Sequence, residues 1–111
     1  MAYHSLGGAM NTLVQTHRAE LTALCRRFGV RRLELFGSAV GTGFDASTSD
    51  LDFLVVFEPA NPAEHADRYF GLLEALGSLF GRPVDLVELS AIRNPYFMKG
   101  IEASRTILYA A

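Results

Sequence analysis

The sequence predicts a small α/β domain, in which helices pack against one small mixed β-sheet. Apolar residues recur at helical spacing in two long stretches, and short runs rich in Val, Leu and Phe lie between and after them. The predicted order is helix, strand, loop, strand, helix, strand, helix, strand, which is typical of this fold class. A chain of 111 residues can form a single compact core but not two. Residues 11–111 are therefore predicted to form one domain, preceded by a flexible arm of residues 1–10.

The first half of this pattern contains one helix and two strands. The helix is predicted to run from residue 11 or 12 to Phe28, with Gly29 as its C-terminal stop. The first strand is predicted at Val30–Phe36, where Leu33 and Leu35 share a face, and the second at residues 50–57. The spacer between them, residues 39–49, is rich in Gly, Ser and Thr and suits a loop that contacts a ligand.

The second half begins with a helix whose N-terminus is marked by a capping motif. Asn61, Pro62 and Glu64 form a capping-box pattern with proline at the first helical position, and Gly81 is the expected stop. The predicted apolar stripe of this helix comprises Ala66, Tyr69, Phe70, Leu73, Leu76 and Phe80. A third strand at residues 84–89, a short helix at residues 94–104 and a last strand at residues 106–109 complete the prediction.

Composition and charge exclude several classes of protein. A net charge of −2 gives no general attraction to nucleic acid, so a long nucleic-acid substrate is disfavoured. The single cysteine, Cys25, allows no disulfide within the chain, and its helical position favours a role as core filler. No apolar run is long enough to span a membrane, and the first residues lack the pattern of a signal peptide. These observations predict a cytoplasmic protein.

Asp50 and Asp52 are the first candidate metal ligands. They lie two residues apart in a predicted strand, so their side chains point to the same face while Leu51 and Phe53 point to the core. Two carboxylates this close repel each other unless a cation lies between them, and both can reach one divalent ion. The alternative is a strand edge with two solvated acids. The spacing matches neither an EF-hand nor a P-loop.

Gly37 and Ser38 follow the first strand directly and suggest a phosphate site. Glycine lets the backbone approach a ligand closely, and serine offers a hydroxyl and an N–H. Phosphates held there would lie beside a metal held by Asp50 and Asp52, which is the layout of metal-dependent nucleotidyl transfer.

These motifs resemble a known family. Leu35-Phe36-Gly37-Ser38, a spacer of 11 residues and Asp50-Leu51-Asp52-Phe53 are similar to the pattern of the polymerase-beta-like nucleotidyltransferase superfamily. The closing segments around Asn94-Pro95-Tyr96-Phe97 and Thr106-Ile107-Leu108-Tyr109 resemble its minimal, stand-alone members. The resemblance implies the nucleotidyltransferase fold and makes Asp85, between Val84 and Leu86, the third carboxylate. The alternative for Asp85 is an ordinary polar residue on the exposed face of a strand.

The resemblance also implies an activity. Asp50, Asp52 and Asp85 would bind two Mg²⁺ ions, for which Mn²⁺ could substitute, and Asp85 would accept the proton of the attacking hydroxyl. ATP would be the nucleoside triphosphate, and the acceptor would be a tyrosine of a HEPN-type toxin that this protein neutralises as an antitoxin. The aromatic and methionine residues of the tail are predicted to contact that partner: Tyr96, Phe97, Met98, Ile101 and Tyr109.

A second hypothesis remains open. No basic residue occurs in the segment Ala39-Val40-Gly41-Thr42-Gly43-Phe44, where many members of the superfamily carry one that could meet phosphate. The chain could therefore be a catalytically weak binding module of the same fold that neutralises its partner by forming a complex. The sequence also leaves open whether the chain forms a homo-oligomer.

Overall fold

The computed structural model describes residues 15–36, 51–92 and 105–111. The elements are α1 (Arg18–Arg27), β1 (Val30–Phe36), β2 (Leu51–Phe57), α2 (Pro62–Phe80), β3 (Val84–Glu88), a 3₁₀ turn (Leu89–Ala91) and β4 (Thr106–Ala110). The four strands form one sheet in the order β3-β2-β1-β4. β1 runs antiparallel to both β2 and β4, whereas β2 and β3 are parallel. This small mixed sheet confirms the predicted fold class.

The main core lies between the sheet and the two helices. Its buried members are Leu21, Cys25, Val30, Leu33, Leu35, Leu51, Phe53, Val55, Phe57, Leu72, Leu76, Phe80, Leu86 and Leu108. The alternation of side chains along β1 and β2 explains this face, because every second residue of each strand points toward the helices. On the opposite face, buried Phe36 and Leu54 form a smaller cluster with Val87, Leu89 and Ile92.

Local signals set the boundaries of the helices. The Asn61 side chain accepts a hydrogen bond from the backbone N–H of Glu64 at 2.8 Å, and the Glu64 carboxylate accepts one from the backbone N–H of Asn61 at 3.3 Å. The predicted capping box is therefore present. Gly29 and Gly81 follow α1 and α2 with φ of 65° and 64°, in the left-handed region that glycine enters without steric cost. Both predicted stops are confirmed.

Several predictions need correction. Phe70 and Ala66 do not belong to the buried stripe of α2: both are exposed, and Leu72 is buried in the core instead. The third strand ends at Glu88, one residue before the predicted end, because the chain turns there into a 3₁₀ turn. The second strand is described from Leu51, and its predicted first residue, Asp50, lies outside the described residues. The predicted arm of residues 1–10 and helix of residues 94–104 lie outside the described residues.

Two further expectations can be compared with the structure. Cys25 is completely buried, and burial raises the pKa of its thiol to about 12, as befits a side chain that fills the core. Tyr109 is half-buried and packs against the main core. The other tail residues predicted to contact a partner lie beyond the described ranges.

Among residues 15–36, 51–92 and 105–111, no helix is long and apolar enough to cross a membrane.

Candidate active site

Asp52 and Asp85 lie side by side on one face of the sheet. The parallel register of β2 and β3 aligns Asp52 directly with Asp85. Aligned residues of neighbouring strands point to the same face, and the strands are roughly 4.8 Å apart. Asp52 is half-buried, whereas Asp85 is exposed. The two carboxylates can converge only if their strands are neighbours, and β2 and β3 are neighbours.

The end of β1 lies at the same level of the sheet. Phe36, the last residue of β1, is paired with Asp52 across the antiparallel register. Gly37 and Ser38 follow Phe36 in the sequence, and Asp50 precedes β2; all three lie outside the described residues. β1 therefore ends beside the aspartate pair, and the Gly-Ser motif is the next segment of the sequence.

The chemistry of this pair fits a divalent cation. Among the described residues, no group of three or more His, Cys, Asp or Glu side chains could hold a metal ion. Mg²⁺ does not require such a group, because it is usually bound through one or two carboxylates together with phosphate oxygens of the substrate. Asp52 and Asp85 provide two carboxylates on one face, and the sequence offers Asp50 as a third.

Helix α2 fixes the position of the strand that carries Asp85. The Tyr69 hydroxyl donates a hydrogen bond of 2.6 Å to the carbonyl of Leu86, the residue after Asp85. Since the backbone N–H of Leu51 donates to the carbonyl of Pro83, alternation along β3 directs the Leu86 carbonyl away from β2. The Tyr69 hydroxyl therefore provides a hydrogen-bond donor for a backbone carbonyl that points away from the sheet, on the outermost strand of the described sheet.

A second contact ties α2 to the end of β3. Nε2 of His65 lies 2.7 Å from Oε1 of Glu88, and the His65 ring also meets the Phe57 ring edge to face at 5.3 Å. Burial raises the pKa of Tyr69, and the negative charges of Glu88 and Asp85 raise it further. The Tyr69 hydroxyl therefore lies within the electrostatic reach of the Asp85 carboxylate.

Glu34 is a buried charge that the sequence analysis missed. It lies in β1 on the same face as Asp52, and only 2% of its surface is exposed. The guanidinium of Arg105 donates to both carboxylate oxygens, with Nε and Nη2 at 2.8 and 2.9 Å, and Nε of Arg32 lies 2.8 Å from Oε2. The hydrogen bonds from Arg105 lower the pKa of Glu34; burial opposes them, and the charges of Arg105 and Arg32 reinforce them.

The sequence held one weak sign of this cluster. An acid between Leu33 and Leu35 in a buried strand needs a partner, because an unpaired buried charge is costly. That partner, Arg105, is 71 residues away in the chain, so no local pattern identifies it. The result is a fixed connection between β1 and the segment that leads into β4.

A comparison with known families identifies the class of protein to which this chain belongs. The model of the nucleotidyltransferase domain family matches residues 19–108. The chain therefore belongs to the nucleotidyltransferase domain family, and both the recognised family and the predicted enzyme class are confirmed.

Known proteins similar to this chain agree with that membership. A Methanocaldococcus jannaschii protein, named as a predicted protein adenylyltransferase, is 37% identical over 81 residues, which cover 71% of this chain and 76% of that protein. The structure of a protein described as a predicted minimal nucleotidyltransferase superposes with a TM-score of 0.61 at 30% identity, covering 87% of this chain and 93% of that one.

A more distant structure shares the fold. It contains a tri-AMPylated HEPN toxin of Shewanella oneidensis in complex with MNT antitoxin, and it superposes with a TM-score of 0.55 at 20% identity. The match covers 87% of this chain and 72% of the other.

Proposed function

We propose that this protein is a metal-dependent nucleotidyltransferase that moves AMP from ATP to a hydroxyl of a partner protein. The acceptor is a tyrosine of a HEPN-type toxin, and the protein acts in the cytoplasm as the antitoxin of that toxin. One observation carries the proposal: the register that aligns Asp52 with Asp85 at the level where β1 ends. The next residues in the sequence are the Gly-Ser motif.

Each candidate residue has a role in this reaction. Asp50, Asp52 and Asp85 hold the divalent cations, two Mg²⁺ ions or Mn²⁺ in their place. When bound, these cations stabilise negative charge on the phosphate oxygens. Gly37 and Ser38 bind the phosphates through a hydroxyl and backbone N–H groups.

Asp85 has a second role as the general base. It is the more exposed of the aligned pair, so an acceptor hydroxyl can reach it. Asp85 takes the hydroxyl proton while the hydroxyl oxygen forms a bond to the α-phosphorus of ATP. The bond from that phosphorus to the bridging oxygen breaks, and pyrophosphate leaves with the electron pair.

The relatives support a protein as the acceptor. The archaeal relative is named for protein adenylylation, and the Shewanella oneidensis structure contains an AMPylated HEPN toxin beside MNT antitoxin. In that structure the AMPylated protein is the toxin, and the described residues of this chain form one small sheet with its helices.

A binding module is the second candidate. Residues 39–44 contain no basic side chain to meet phosphate, which favours an antitoxin that neutralises its partner by covering it. The aligned aspartates favour the enzyme, because a purely covering role gives no reason to place two like charges side by side.

Co-expression separates the two candidates. The chain is produced together with a HEPN-type toxin, the complex is purified, and the intact mass of the toxin is measured after incubation with ATP and Mg²⁺. We expect the partner to gain one or more AMP groups on tyrosine, and to gain none with an Asp52→Asn variant. A bound but unmodified partner would leave only the binding module. Adenylylation of a small molecule without partner binding would overturn the antitoxin role.

A further inference from the structure

Phe70 is an aromatic side chain that the core of the protein does not use. It is 65% exposed, and Ile107 at 52% is the only other large hydrophobic residue this exposed in the part of the chain that the structure describes. The Phe70 ring is nevertheless held in place: it meets the Tyr69 ring edge to face, with 5.1 Å between centroids and 89° between planes. A well-placed exposed aromatic ring is characteristic of a protein interface.

The position of Phe70 connects it to the candidate active site. Its neighbour Tyr69 donates to the carbonyl of Leu86, and Leu86 follows Asp85 in β3. Tyr69 thus contacts the outer edge of β3, and Phe70, the next residue of α2, is exposed with its ring against that of Tyr69. Ile107 lies in β4, at the opposite edge of the sheet.

The surroundings of Phe70 combine apolar and acidic groups. At helical spacing, exposed Ala66 lies four residues before Phe70 and half-buried Leu73 three residues after it. Asp67 and Glu74, both exposed, flank it at three residues before and four after. The result is an apolar centre with an acidic rim, which we name the Phe70 surface.

Basic residues are concentrated elsewhere in the molecule. Arg26 and Arg27 are exposed in the last turn of α1, and Arg31 is exposed at the start of β1. A partner attracted to the Phe70 surface must therefore supply the positive charges itself. Such complementarity steers association and selects against wrong partners.

We propose that the Phe70 surface is where the acceptor protein docks, with Phe70 inserted into an apolar pocket that is rimmed by basic side chains. This inference rests on the proposed transfer to a protein hydroxyl. Asp85 points to the face of the sheet opposite α2, so an acceptor docked on Phe70 reaches Asp85 around the outer edge of β3, the outermost strand of the described sheet. The same contact holds an unmodified partner, so docking does not depend on turnover.

The test compares Phe70→Ala with Ile107→Ala in the full chain. Ile107→Ala removes the other exposed large hydrophobic side chain, far from Asp85, and serves as the matched control. Affinity for the purified HEPN-type protein is measured by calorimetry, transfer by intact mass, and binding of Mg²⁺-ATP to the free chain as a check on the nucleotide site. We expect Phe70→Ala to weaken partner binding by at least about tenfold, as for an aromatic hot spot. Mg²⁺-ATP binding should stay unchanged, and Ile107→Ala should behave like the wild type.

Charge reversal on the rim provides a second variant. Glu74→Lys should slow association with the partner, with a difference from wild type that shrinks as salt is added. Equal partner affinity of Phe70→Ala and the wild type would overturn the proposal. A wild-type chain that dimerises through this surface, and becomes monomeric on Phe70→Ala, would assign it to self-association and also overturn the proposal.

The two proposals can fail separately. Phe70-dependent binding of a partner that is never modified would uphold the docking surface and reject the transfer. Modification that proceeds equally well without Phe70 would uphold the transfer and reject the docking surface.

Discussion

Asp52 and Asp85 have the same side chain in different surroundings. Asp52 is half-buried and paired on its other side with Phe36, whereas Asp85 is exposed on the outermost strand of the described sheet. The inner carboxylate is therefore suited to hold a cation and the nucleotide with it, and the outer one can also meet an acceptor. Their substitutions should affect different steps.

We expect Asp52→Asn to abolish Mg²⁺- or Mn²⁺-dependent binding of ATP. The domain should stay folded, because the substitution removes one acid from a cluster of carboxylates that repel one another. Asp85→Asn should instead slow transfer by ~10²–10⁴-fold, the usual loss with a general base, and weaken nucleotide binding less. Calorimetric titration with Mg²⁺-ATP measures the first effect, and single-turnover transfer measures the second.

The control for both variants is Glu20→Gln, which removes an exposed carboxylate from the first turn of α1. It should leave nucleotide affinity and transfer unchanged. If Asp52→Asn bound Mg²⁺-ATP like the wild type, the metal-binding role would be wrong. Near-normal transfer by Asp85→Asn would show that the third carboxylate is misassigned.

Glu34 shows how a buried acid makes stability depend on pH. Its pKa is lower in the folded protein than its ordinary value of 4.5. The ion pairs with Arg105 and Arg32 therefore contribute stability above about pH 4.5, and this contribution is lost as the pH falls through the lower folded value.

We expect Glu34→Gln to lower the free energy of unfolding at pH 7 by about 1.5–3 kcal/mol, because it removes hydrogen bonds between charged groups. The difference between wild type and variant should shrink as the pH is lowered from 5 to 3. Denaturant unfolding across this range is the measurement, with Glu58→Gln, an exposed acid after β2, as the control. A difference that is the same at pH 3 and pH 7 would rule out the ion pairs as its cause.

At the scale of elements, the ring of Phe28, the residue that follows α1, packs against Gly71 of α2 and fills the space that a side chain at Gly71 would need. A Cβ built on Gly71 would lie 2.5 Å from Cε1 of Phe28, so the ring or the helix must shift to admit a side chain there. A Cβ built on Gly77, in the same helix, has no such close neighbour, because the nearest atom to it, the Arg82 carbonyl oxygen, is 3.9 Å away. The two glycines of α2 therefore have different structural roles.

We expect Gly71→Ala to destabilise the protein by about 1–3 kcal/mol through overpacking against Phe28. Gly77→Ala should stabilise it by about 0.4–1 kcal/mol, because alanine restricts the unfolded chain and suits a helix. Chemical denaturation of both variants measures the difference. Gly71→Ala combined with Phe28→Ala should show less than the sum of the two single effects, since the clash is then absent. Fully additive effects would contradict the proposed contact.

The elements that the sequence predicted best are those with local signals. Asn61, Pro62 and Glu64 mark the start of α2, Gly81 marks its end, and each signal acts within a few residues. The alternation of Leu33 and Leu35 likewise places β1. Phe70 was misassigned to the core because its helical spacing matches the apolar stripe, and periodicity alone does not distinguish a buried aromatic residue from an exposed one.

At the scale of the whole molecule, the candidate site depends on tertiary structure. Asp52 was recognisable from its own strand, but its alignment with Asp85 requires the parallel register of β2 and β3, which the sequence leaves open. The pairing of Glu34 with Arg105 could not be foreseen, because it depends on the strand order, which places β4 beside β1 although they are far apart in the sequence. Contacts between residues that are far apart in the sequence are set by the strand order and register rather than by the conformational preferences of neighbouring residues.

The place of β4 in the sheet has a consequence for how the protein is made. β4 pairs with β1, although more than half of the chain separates them. During synthesis, β1 emerges from the ribosome long before β4, so one edge of β1 lacks this partner until β4 has also emerged. An unpaired edge can join a strand of another chain, and such distant pairings form slowly. Once β4 has paired with β1, this edge of β1 is no longer open to a strand of another chain.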